Sequence, residues 1–124
     1  MLNKELLLQP TQAEPGVDEL VIGLWPEEDS EWFNIAITYK DGYTEYDNDI
    51  FVEQYESVTK VYRRNFPIVA IRISINTQTV FNGDEVKNAL ESCFEKTNDC
   101  YSSVEASVPK KHLGKLELYL TLSY

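Results

Sequence analysis

Side chains able to do covalent chemistry are few in this sequence, whereas side chains able to dock a cation are many. Trp25, Trp32, Tyr39, Tyr43 and Tyr46 are interleaved with Glu27, Glu28, Asp29, Glu31, Asp41, Glu45 and Asp47 within some two dozen residues. Indole and phenol rings anchor interfaces, and carboxylates of one sign steer a partner of the other. The chemistry implied is recognition rather than turnover.

Nucleophilic and acid–base groups are thin by comparison. His112 lies in the loop Pro109-Lys110-Lys111-His112-Leu113-Gly114, with no Gly-x-Ser-x-Gly elbow or other nucleophile context in the chain. Cys93 falls on the apolar stripe of an expected helix, where a thiol packs as a small hydrophobe. Nothing basic adjoins Cys100 to activate it. With no CxxC pair, both are expected to be reduced thiols, and no metal site is expected from them. Asp47-Asn48-Asp49 and Glu27-Glu28-Asp29 supply hard oxygen ligands, but neither continues into a calcium-binding loop. Five glycines form no phosphate-cradling fingerprint, so no cofactor is expected. A carboxylate-pair enzyme has abundant acids to draw on but no distinguishing arrangement of them.

Charge sharpens the reading. The 124 residues carry 21 acidic and 11 basic side chains, a formal net charge of −10. Residues 1–59 hold 14 acids and 2 bases, whereas residues 60–124 hold 7 and 9. That balance disfavours nucleic acid or an anionic membrane as the principal partner and favours a basic protein. Clefts that bind nucleic acid are reliably basic, so carboxylates offered there compete with phosphates. The expectation is a small cytoplasmic inhibitor or immunity-type protein that occludes a toxin or nuclease-like partner. In size, acidity and lack of catalytic groups the chain looks like that broad class, a likeness of character that covers no motif. Its expected contact residues are Glu27, Glu28, Asp29, Glu45, Asp47 and Asp49, with Trp32, Tyr43 and Tyr46 as anchors. Two rival readings stand beside it: a solubilising surface with both tryptophans in the core, and an assembly module pairing through the edge of its last strand.

These side chains need elements to hold them. Alternation over residues 31–39 puts Phe33, Ile35, Ile37 and Tyr39 on one face and Trp32 on the other. Asp41-Gly42 is expected to supply two positive-φ positions of a tight hairpin turn. Residues 19–25 read as a strand with Leu20, Ile22 and Leu24 inward, ended by Pro26, after a weak leading strand near residues 4–9. From residue 49, Phe51, Tyr55, Val58 and Tyr62 fall at helical spacing, and a helix is expected to end near Asn65 and Pro67. Val52, Val58, Thr59 and Val61 weaken it, and strand is the alternative. Residues 68–75 read as an interior strand, and a second helix follows from Asn82 or Gly83 to about Asn98, with Val86, Ala89, Leu90, Cys93 and Phe94 as its apolar stripe. Strands near residues 101–108 and 115–124 complete the chain.

The expected architecture is one α+β domain over residues 1–124. It has a single mixed or antiparallel sheet of five to six strands and two helices packed on one face. A parallel pairing of the strands at 68–75 and 101–108 through the second helix is a candidate crossover. The apolar run in residues 1–8 is too short for a signal-peptide core, and no stretch reaches membrane-helix length.

Overall fold

Period-two burial is the organising pattern of the chain, because strands that bury one face alternate core and solvent positions. The computed structural model describes residues 5–26, 29–76, 83–97, 102–108 and 115–123. It contains β1 (Glu5–Glu14), β2 (Val17–Trp25), β3 (Glu31–Tyr39), β4 (Thr44–Val52), β5 (Val58–Arg64), β6 (Ile68–Asn76), α1 (Gly83–Thr97), β7 (Ser103–Ser107) and β8 (Lys115–Ser123). The strands form two sheets, a three-stranded β1-β2-β5 and a five-stranded β4-β3-β6-β8-β7, with every pairing antiparallel.

The single sheet with two helices is therefore corrected to two sheets and, among the described residues, one helix. The expected helix beginning at residue 49 is instead the end of β4, a turn over residues 53–57, and β5. Two left-handed residues, Asp49 at φ 58° and Tyr55 at φ 60°, break any helical run there. Ile50, Val52 and Tyr62 are buried while Phe51 and Val61 are exposed, which is strand alternation. Tyr55 and Tyr62 share a helical period with the apolar residues by coincidence of spacing. The β-branched Val52, Val58, Thr59 and Val61 decide the outcome, since they fit a pleated surface better than a helix.

The crossover is also corrected. β8 lies between β6 and β7, so the strands flanking α1 are not neighbours. For the same reason the last strand is interior rather than an edge. β7 is the edge, and the helix covers it: Ala106 N–H donates to Glu91 Oε1 at 3.1 Å. The β3–β4 turn differs in detail too. Gly42 alone has positive φ, at 90°, and its N–H donates to the Tyr39 carbonyl at 2.9 Å. Tyr39 N–H in turn donates to the Tyr43 carbonyl at 2.9 Å. The connection is a three-residue loop closed by a glycine in the left-handed region, not a two-residue turn.

Several other expectations hold, although Ala89, expected on the apolar stripe of the helix, is exposed. Leu20, Ile22 and Leu24 of β2, Phe33, Ile35, Ile37 and Tyr39 of β3, and Leu116, Leu118, Leu120 and Leu122 of β8 are all buried. They join Ile71, Ile73 and Ile75 of β6 in one core between the sheets, which Leu90 and Phe94 of α1 enter from the side of β1 and β7. Burying large aliphatic side chains contributes about 1.5–3 kcal/mol each, so this layer dominates stability. Asp18 is buried with them, its Oδ2 accepting the Ile68 N–H at 3.1 Å and pinning the start of β2 to that of β6. Asn98, His112 and Cys100 lie outside the described residues, as do the side chains of Val86 and Cys93.

Candidate functional site

The chain passes between the two sheets three times, over residues 26–30, 53–57 and 65–67. The first two crossings meet at one end of the molecule, where Tyr55 N–H donates to the Pro26 carbonyl at 2.9 Å. Strand pairing extends this junction onto the five-stranded sheet, because Glu31 pairs with Val52 and Trp32 with Phe51. Alternation turns Trp32 and Phe51 outward together, with ring centroids 4.8 Å apart and planes tilted by 46°. Both remain more than 40 % exposed, and Tyr55 on the adjoining loop is 64 % exposed. Asp29, Glu53 and Glu56 are exposed on the same two loops. Residues 26–31 and 53–57 contain no lysine or arginine. This end can present three aromatic side chains and several carboxylates to a cationic surface.

The expected contact residues do not all gather here. Asp29 and Trp32 belong to this end, and Glu27 and Glu28 lie outside the described residues. Asp49 sits near it, exposed at an irregularity of β4, with its N–H donating to Asn34 Oδ1 at 2.9 Å. Tyr46 is on the outer face of the five-stranded sheet, paired with Ala36. Glu45 and Asp47 point the other way, into the seam between the sheets. Glu45 Oε1 accepts the Tyr39 hydroxyl at 3.2 Å, and Asp47 Oδ2 accepts the Tyr62 hydroxyl at 2.9 Å. Lys60 Nζ lies 3.7 Å from Asp47 Oδ2. Burial first, then the neighbouring carboxylate, raises both phenols far above the ordinary tyrosine value. Asp47 thereby joins β4 to β5 across the two sheets, whereas Glu45 ties β4 to β3 within its own sheet.

Tyr43 lies at the opposite end. The Arg64 guanidinium carbon is 4.1 Å from the Tyr43 ring centroid, 5.2 Å from Tyr39 and 5.5 Å from Phe66. Arg64 Nη2 also donates to Asp41 Oδ2 at 2.6 Å. Tyr43, 49 % exposed, is thus engaged in an intramolecular surface cation–π cluster that holds the β3–β4 turn against the corner at residues 65–67.

Phe51, Glu53, Tyr55 and Glu56 are members of the acidic end that the sequence pattern placed on a helix. A strand reading of the same segment puts Phe51 on the face of Trp32 and the two glutamates in a turn. Among the described residues no group of three or more His, Cys, Asp or Glu is placed to hold a metal ion. Among them, too, no helix is long and apolar enough to cross a membrane. No protein-family model matches the chain, and no curated protein and no solved structure matches it significantly.

Proposed function

We propose that this is a non-catalytic inhibitor or immunity-type protein, acting in the cytoplasm, that docks into a basic cleft of a partner protein and occludes it. Its docking surface is the end where residues 26 and 29–30 meet loop 53–57 beside the Trp32–Phe51 pair. The supporting observation is the Tyr55 to Pro26 hydrogen bond, which sets two loops free of basic residues side by side, next to exposed rings. Aromatic anchors surrounded by one sign of charge suit a partner whose own cleft carries clustered Lys and Arg, as clefts that grip phosphates do. An assembly module pairing through the last strand has less support, since β8 is hydrogen-bonded on both sides.

The test is capture from a host lysate on immobilised wild-type protein and on an Asp29→Lys/Glu53→Lys/Glu56→Lys variant, followed by affinity measurements on the purified captured protein. A basic protein held by the wild type, released by salt and bound at least tenfold more weakly by the variant supports the reading. Equal affinity and equal salt dependence for the two forms overturn it.

A further inference from the structure

The outer face of the five-stranded sheet carries a trough of about 230 Å³, separate from the acidic end. Its geometry follows from register. Across four neighbouring strands one row reads Tyr46, Ala36, Arg72, Tyr119. Neighbouring strands are about 4.8 Å apart, so Tyr46 and Arg72 stand roughly 9.6 Å from one another over the small Ala36. A flat ring stacked between two side chains needs about 7 Å between their planes. The next row, Thr44, Thr38, Ala70, Thr121, continues the low floor with hydroxyls and a methyl group. Thr38 and Thr44 hydroxyls bond each other at 3.1 Å and hold that floor in place.

Charge distinguishes the trough from the rest of this acidic molecule. Among the described residues no carboxylate lines it, and Glu117 on the same face accepts the Tyr119 hydroxyl at 3.0 Å. Arg63 is ion-paired with Glu14 and Arg64 with Asp41. Among the described residues, Arg72 is the arginine with no ion pair, and it is exposed beside the cavity. A planar guanidinium recognises a carboxylate through two parallel hydrogen bonds, and phenol faces accept flat rings.

We propose that this trough binds a small aromatic carboxylate of one or two rings, its carboxylate on Arg72 and its ring against Tyr46 over Ala36. The volume suits such a ligand and is below the usual range for larger cofactors. The hydroxyls of Thr38 and Thr44 border the ring edge.

The test uses 2-naphthoate as probe, with 2-naphthalenemethanol as a neutral flat control and cyclohexanecarboxylate as a non-flat anion. Two-dimensional amide NMR follows the full chain during titration. Saturable shifts for naphthoate at the Ala36 and Ala70 amides are expected, with both controls weaker. Arg72→Gln is expected to weaken naphthoate roughly tenfold or more, as loss of a charge-assisted pair does. Ala36→Leu, which fills the floor without touching charge, is expected to abolish the shifts while the spectrum stays folded. Naphthoate affinity unchanged in Arg72→Gln, saturable binding that ignores Ala36→Leu, or no saturable shift at Ala36 and Ala70 overturns the proposal.

Discussion

Tyr62 shows how a single side chain joins the two sheets, and Tyr39 how one ties neighbouring strands of the same sheet. Each phenol is buried and donates to a carboxylate of β4, so ionising it in the fold places a second negative charge beside the first in a poorly solvated seam. The ordinary tyrosine value of 10.0 describes the unfolded chain, and the folded values lie well above it. Below that unfolded value both states keep the phenolic protons and the stabilisation is whole. Above it the unfolded chain releases protons that the fold retains, so stability drains as pH climbs from about 10 toward the raised folded values. Urea midpoints measured from pH 8 to 11.5 are expected to fall steeply above pH 10 in the wild type and less steeply in Tyr62→Phe. At pH 7 the same substitution is expected to cost about 1 kcal/mol for the lost hydrogen bond to Asp47. A variant whose alkaline limb superimposes on that of the wild type would show that the phenol does not report this seam.

At the scale of elements, legibility tracked how local the deciding force was. The strands at 19–25, 31–39 and 115–123 are readable because each buries alternate residues against one core, and the helix at 83–97 because Leu90 and Phe94 share one stripe. The segment 49–64 misleads a local window because its apolar residues satisfy both periods. The deciding contacts, Tyr62 to Asp47 and Tyr55 to Pro26, span 15 and 29 positions and are invisible to a local window. With that segment went half of the acidic end, whereas the outward face of Trp32 was legible from alternation alone. The division into two sheets was not legible, since alternation marks a buried face without naming the sheet that covers it. The relation of α1 to β7 was hidden in the same way. Glu91 reaches from the helix to the Ala106 N–H and so blunts an edge that would otherwise offer unpaired donors. Replacing Glu91 with Ala is expected to speed hydrogen exchange at Ala106 at least tenfold and to cost about 1 kcal/mol of stability. Unchanged exchange at that amide would mean that packing of Leu90 and Phe94, rather than the carboxylate, protects the edge.

For the whole molecule the governing quantity is the formal charge of −10 with its excess in the first half of the chain. A domain of this length has a radius of gyration of about 14 Å. At 10 mM salt the screening length is about 30 Å, so nearly every carboxylate repels every other; at 150 mM it is about 8 Å and only neighbours do. Self-repulsion of this kind disfavours the compact state, because unfolding moves like charges apart. The wild type is therefore expected to gain stability between 10 and 150 mM NaCl, read as a rising urea midpoint. Asp29→Lys/Glu53→Lys/Glu56→Lys changes the formal charge from −10 to −4, each exchange moving it by two, at three exposed loop positions that bury nothing. Its midpoint at low salt is expected to equal or exceed that of the wild type, and its rise with salt to be shallower. A variant that is less stable at 10 mM, with a salt slope as steep as before, would mean that these loops carry structure rather than spare charge. The docking role argued for this end would then lose its electrostatic basis, because a surface kept for binding is one the fold can surrender without loss.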